Sequence, residues 1–224
     1  MFIPLRDENP TRRFPVITVS LIILNVGIFL FQAISPQGLE HYVQRMGVVP
    51  YEITHFQTLA EGVRLSPPLT LFAAMFLHGS LFHVLGNMLF LWIFGNNVED
   101  FLGPFRFVLF YLLSGLGASF FQVLFSPNSR VPMIGASGAI AGVLGAYLLL
   151  YPTARVLTLV FLFVFVRVIA IPAAYVLGFW FVLQILNVGL GGGVAWFAHI
   201  GGFLIGMALI KLFGRRRQGP ARVN

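Results

Sequence analysis

This sequence predicts an all-α membrane protein of six transmembrane helices with a long first extracytoplasmic loop. Three observations carry that expectation. Hydrophobic residues make up 58% of the 224 residues and charged residues only 9%, giving a mean hydropathy of +0.90; a soluble domain of this size could not hide so much apolar surface. Apolar runs approaching the roughly 20 residues of a membrane span recur along the chain, each closed by a proline, a glycine or a polar cluster. The positive charge beside those runs falls almost wholly on one side of the predicted topology.

The first span is Val16–Ile34, preceded by a short N-terminal segment, residues 1–15, expected to be cytoplasmic. This run is about span length and lacks a small-residue cleavage site before Ser35-Pro36, so it is expected to remain as a span and not to be removed as a signal. A polar-to-amphipathic stretch, Ser35–Leu69, carries charges and Pro50, Pro67 and Pro68, and forms the long first loop. The second span is Leu81–Gly95, with an apolar lead-in at Leu69–Leu77 and an end at Asn96-Asn97-Val98-Glu99-Asp100. The third is Phe105–Phe125, stopped by Ser126-Pro127, and the fourth is Ala136–Tyr151, stopped by Pro152. The fifth is Ala173–Val188, ended by Gly189–Gly193, and the sixth is Ala195–Phe213, followed by a basic cytoplasmic tail over 214–224. The membrane domain is thus 16–213.

Val156–Ile171 is apolar enough for a seventh span but contains Arg167. Charge decides against it. With six spans, both termini share a side with the turn after span two and the connection after span four. That side collects Arg6, Arg12, Arg13, Arg106, Arg155, Arg167, Lys211, Arg215, Arg216, Arg217 and Arg222, whereas the other holds Arg45, Arg64 and Arg130. A seventh span would reverse the C-terminal cluster. The segment is therefore expected to be an interfacial or re-entrant connection, extended if its β-branched and aromatic residues govern it. The formal charge of +7 rests almost wholly on arginine, Lys211 being the only lysine. Its clusters flank apolar segments, which fits anionic lipid and not nucleic acid. With no cysteine, disulfides, thiolate metal sites and a cysteine nucleophile are excluded.

A polar group in hydrocarbon is expensive, so the polar residues inside the spans are candidate functional groups. His83 and Asn87 lie early in span two, Ser137 at the start of span four and His199 early in span six. All three spans enter from the outer side, which puts four sequence-distant polar residues at similar depth. Ser137, in Gly135-Ala136-Ser137-Gly138, sits where unpaired helix N–H groups favour developing negative charge; the plain alternative is an N-cap serine. His199 could serve as the general base for that serine, or be a hydrogen-bonded core histidine. Gly138, Ala141, Gly142 and Gly145 in span four and Gly202 and Gly206 in span six form small-residue stripes. Such stripes let membrane helices approach closely, as a serine–histidine contact requires. His83 and Asn87, four residues apart, share a helix face and could donate to an oxyanion or merely clamp two helices. His78 stands five residues before His83, poor spacing for two metal ligands on one helix. No His-Glu-x-x-His occurs and no acidic residue falls within a predicted span, so neither a metal nor another cofactor is expected, and a Ser–His dyad is implied in place of a triad.

The segments Met75–Asn87, with its His-x-x-x-Asn, Gly135-Ala136-Ser137-Gly138, and His199-Ile200-Gly201-Gly202 with Gly206 together resemble the rhomboid family of intramembrane serine proteases, over nearly the whole chain. The resemblance implies a six-helix rhomboid-like bundle in a bacterial inner (plasma) membrane, with single-span or multi-span membrane proteins as substrates. It implies Ser137 as nucleophile, His199 as base, and His83, Asn87 and the Ser137 backbone as oxyanion site. Glu99, with Gly95 and Gly103, is similar to the family's structural glutamate turn. Two features depart from it. The first loop has no Trp, where many relatives carry Trp-Arg. Ala141 stands where some members have a tyrosine that stacks on the base, which leaves Tyr147 or an aromatic residue of span five to brace His199. Two other classes compete. One is a non-catalytic relative that binds membrane proteins for quality control, although such proteins usually lack the serine or the histidine. The other is a small transporter, which would favour midplane ionisable residues and internal repeats.

Overall fold

The computed structural model describes residues 2–59, 65–162, 165–190 and 194–214. Arg64 and nearly all of the predicted basic tail, with Arg215, Arg216, Arg217 and Arg222, lie outside the described residues. Strand β1 (Phe2–Asp7) leads into α1 (Val16–Ile34). The first loop contains α2 (Gly38–Met46), α3 (Pro50–His55) and α4 (Pro67–Ala73), the last extended by a 3-10 turn to Phe76. Then α5 (Leu81–Phe90), a π-helical turn (Leu91–Gly95) and α6 (Asn96–Leu102) run on as one helix. They are followed by α7 (Pro104–Phe125), α8 (Ser137–Leu150), strands β2 (Arg155–Leu162) and β3 (Phe165–Pro172), α9 (Ala173–Leu186) and α10 (Trp196–Phe213).

Helices therefore stand at each predicted span. Among the described residues four are long and apolar enough to cross a membrane: Val16–Ile34, Leu81–Leu102, Pro104–Phe125 and Trp196–Phe213. The other two, α8 and α9, have 14 residues each. At about 1.5 Å per residue each is roughly 21 Å long, short of a hydrocarbon core of about 30 Å.

The structure corrects the sequence reading in two places. The chain is not all-α, because β1, β2 and β3 form an antiparallel sheet in that order. In it Phe2 pairs with Val160, Asp7 with Val156 and Arg155 with Pro172. Val156, Thr158 and Val160 are buried on one face of β2, the period-2 alternation of a half-covered strand. The register slips between Pro4 and Arg6, next to a residue with no N–H to offer the ladder. Span two, moreover, does not end at Gly95. The helix continues to Leu102, so Glu99 is inside it.

Glu99 is buried because it has work at the start of α1. Its Oε1 accepts from the Ile17 N–H at 2.9 Å, and its Oε2 accepts from the Thr18 N–H and hydroxyl, both at 2.8 Å. The first N–H groups of a helix have no intrahelical acceptor, and a carboxylate there also meets the positive end of the dipole. At the same end of the molecule, Asp7 of β1 accepts from the Tyr147 hydroxyl at 2.6 Å and from Asn97 Nδ2 at 2.8 Å. Burial pushes the Asp7 carboxyl above its ordinary range, against the lowering effect of the Tyr147 and Asn97 hydrogen bonds.

Helix α8 is the centre of the bundle, with every residue from Gly138 to Tyr147 buried. It packs most extensively on α10 and α7. The contacts are backbone to backbone. A Cβ at Gly202 would fall on the Gly138 carbonyl, and one at Gly206 would lie 2.5 Å from the Gly142 carbonyl carbon. On the other side of α8, a Cβ at Gly138 would come 2.6 Å from Ala118 Cβ and one at Gly142 2.5 Å from Ser114 Cβ, both on α7.

Candidate active site

The N-terminal ends of α5, α8 and α10 meet the C-terminal half of α7 and the turn that follows α9 around a cavity of about 930 Å³. His83, Asn87, Ser137 and His199 all line it. Each occupies the first turns of its helix or close to them, so one end of the bundle collects them.

Ser137 is the first residue of α8, with Ala136 rather than a serine at the N-cap. Its hydroxyl makes no cap and instead lies 2.8 Å from His199 Nε2. The preceding Gly135 has φ +118°, a conformation L side chains rarely adopt. A Cβ there would also sit 2.8 Å from His83 Nε2. Glycine is thus required twice over, for the turn into α8 and for the His83 ring against the backbone beside Ser137. By helix geometry the first N–H groups of α8 point into this region without intrahelical acceptors.

His199 is held from several directions. Its Nδ1 lies 2.8 Å from Gln184 Oε1 on α9. The Trp180 ring, also on α9, lies 5.9 Å from the imidazole between centroids, and Trp196 meets it edge-on at 6.1 Å. Gln122 of α7 accepts from the Ala198 N–H at 3.1 Å, pairing an N–H that the first turn of α10 presents towards the cavity. Of the two bracing options open in the sequence, an aromatic of span five is the one beside His199. Tyr147 is engaged with Asp7 at the far end of α8.

His83 and Asn87 are placed differently. Ser80 caps α5 through its hydroxyl, which accepts from the His83 N–H at 3.2 Å. Asn87 Nδ2 lies 3.0 Å from Nε2 of the fully buried His78, so one amide hydrogen is directed to His78, while the residue also lines the cavity. The His78 and His83 rings stand edge to face, 5.1 Å apart.

Two residues of this site escaped the sequence reading. Spacing alone gives His78 nothing beyond poor metal-ligand geometry, and no motif singles out Gln184. Gln184 is a polar side chain inside an apolar run, the same signal that marked the other candidates. Among the described residues no group of three or more His, Cys, Asp or Glu could hold a metal ion.

The Rhomboid domain family matches residues 67–216, which include His78, His83, Asn87, Ser137, Gln184 and His199. The chain is similar to RHOMBOID-like protein 1 of Arabidopsis thaliana, 38% identical over 66% of this chain and 35% of the relative. It is 38% identical to the rhomboid protease GluP of Bacillus subtilis over 64% of this chain and 25% of that protein. It is 35% identical to the mitochondrial rhomboid protein 1 of Saccharomyces cerevisiae over 42% of this chain and 28% of that protein. The chain thus spans well under half the length of these curated relatives.

Proposed function

The chain belongs to the rhomboid family of multi-pass membrane proteins, and we propose that it is an intramembrane serine endopeptidase that cuts transmembrane segments of other membrane proteins. The observation that carries this reading is the 2.8 Å approach of Ser137 Oγ to His199 Nε2 across two helices. In the proposed reaction, His199 Nε2 takes the hydroxyl proton as Ser137 Oγ attacks the scissile carbonyl carbon. The tetrahedral oxyanion forms beside the N-terminus of α8, where backbone N–H groups, His83 and the second Asn87 hydrogen are available to stabilise it. His199 returns the proton to the leaving amine, and an acyl-enzyme remains. Water then enters and His199 takes its proton as the oxygen attacks the ester carbonyl; His199 then returns that proton to Ser137 Oγ as the acyl C–O bond breaks, releasing the acid and restoring both residues. Ser119, Gln122 and Ser126 line the same cavity and offer water a polar approach.

The six-span topology, with both termini cytoplasmic in a bacterial inner membrane, is part of the same proposal. It rests on the one-sided charge tally and on the apolar helices that stand at each predicted span, α8 and α9 being the two short ones. The test of the site is covalent labelling. A fluorophosphonate probe should modify Ser137 of the purified protein, and His199→Ala should abolish labelling without unfolding it. A His199→Ala protein labelled at the wild-type rate would remove the histidine from its role, and a folded wild type that the probe does not label would favour a non-catalytic, substrate-binding relative.

A further inference from the structure

Gln184 is 6% exposed and lies near the C-terminal end of an otherwise apolar helix. A buried amide must have partners for both ends, or it costs free energy. Its two ends are assigned by what they face. The Nε2 group lies 2.9 Å from the Trp180 carbonyl oxygen, one turn back on α9. A carbonyl can only accept, so the group facing it is the NH2. The opposite end, Oε1, then faces His199 Nδ1 at 2.8 Å. Flipping the amide would set two acceptor oxygens against each other at Trp180.

An oxygen at Nδ1 has a consequence for the other ring nitrogen. Oε1 has no proton to give, so Nδ1 must carry one. In a neutral imidazole the remaining nitrogen, Nε2, then has the lone pair. That nitrogen is the one 2.8 Å from Ser137 Oγ, so the hydroxyl donates to it. The opposite tautomer would aim an N–H at the serine oxygen and could not accept its proton. Resting on the protease reading above, we propose that Gln184 is the positioning residue of this site: its amide oxygen selects the Nδ1–H tautomer and fixes the ring plane of His199. The Trp180 carbonyl holds that amide in turn, and the Trp180 ring packs beside the imidazole. A single turn of α9 thereby supplies the third member in place of a carboxylate.

The tautomer can be read directly. With histidine labelled with heavy nitrogen, the protonated and lone-pair ring nitrogens give separate resonances, and loss of signal in His199→Ala assigns those of His199 among the five histidines. At mildly alkaline pH the wild type should show His199 protonated at Nδ1. Gln184→Met keeps length and apolar character but removes the acceptor; it should populate the Nε2–H form. Its kcat should fall by about 10²-fold, towards the lower end of what a general base supplies, with KM changed less than about two-fold. Gln184→Glu keeps an acceptor and should retain more activity than Gln184→Met, although a carboxylate is the costlier group to bury. A purely structural role predicts the reverse order. A wild-type His199 protonated at Nε2, or a tautomer unchanged in Gln184→Met, would overturn the assignment. If the tautomer follows Gln184 as described while Ser137 proves inert to substrate and probe, the protease reading falls and the positioning role of Gln184 stands.

Discussion

Substitution of Gly206 by alanine tests how far the site depends on a contact that touches no reacting atom. Gly206 lies seven residues beyond His199 on α10, about 10 Å along the axis. A Cβ there would sit 2.5 Å from the Gly142 carbonyl carbon. Carbon atoms settle about 3.5 Å apart or more, so α8 and α10 must part by about 1 Å. Both partners at this point are backbone, and no side chain can swing aside. The same displacement carried to the site would stretch the Ser137–His199 contact from 2.8 Å to nearly 4 Å, past hydrogen-bond length. A misplacement of that size costs about 10²-fold in rate, while overpacking costs roughly 1–3 kcal/mol of stability. Gly206→Ala should therefore lose about 10²-fold in kcat and a few degrees in Tm, still folded and monodisperse in detergent. Leu212→Ala, at a position 77% exposed on the same helix, should leave both within error. The assay is cleavage rate per folded molecule beside a thermal melt. Gly206→Ala activity within two-fold of wild type would refute the reasoning, because it would mean that the closeness of α8 and α10 does not set the Ser137–His199 distance.

Other perturbations separate the two ends of the bundle. Glu99→Gln places an NH2 group among the Ile17 and Thr18 donors; it should cost about 2–3 kcal/mol and lower Tm, yet leave the cleavage rate per folded molecule unchanged, since Glu99 lies 16 residues along the helix from His83, about 24 Å. His83→Ala should lower kcat by about 10²-fold with little change in KM, as expected when a transition-state donor is removed. Asn87→Ala should cost less, because one of its hydrogens is already committed to His78; kinetics of both variants decide it. Asp7 has its carboxyl raised by burial, so its contribution to stability is present below its ordinary value of 3.8 and is lost as pH rises through the higher folded value. Wild-type Tm should fall over that window relative to Asp7→Asn, and parallel Tm–pH curves for the two proteins would contradict this.

The long apolar helices were legible because their signal is local. Val16–Ile34 and Phe105–Phe125 are long, mainly apolar runs, and their ends agree with the structure to within a residue. The end of α6 was not legible for the opposite reason. Asn96, Asn97, Glu99 and Asp100 read as a polar stop, but Glu99 is held inside by N–H groups of α1, some 80 residues earlier in the chain. Likewise β1 pairs with a strand about 150 residues away, and nothing within Phe2–Asp7 announces a partner. At the site, depth along the spans was enough to group His83, Asn87, Ser137 and His199 at one end of the bundle. Spacing could not say that Asn87 faces His78 or that the side chain behind His199 is Gln184, since those contacts depend on the path of the connection before α5 and on how α5, α9 and α10 are turned about their axes.

The central claim is that Ser137 and His199 form a peptide-cleaving pair, and cleavage by the purified protein tests it most directly. Wild type, Ser137→Ala and His199→Ala would be compared in detergent on a single-span test substrate, without added metal or ATP, with melting curves to show that each is folded. The account predicts a defined cut within the transmembrane segment by wild type and none by either variant. Undiminished cleavage by a folded Ser137→Ala or His199→Ala protein would contradict it.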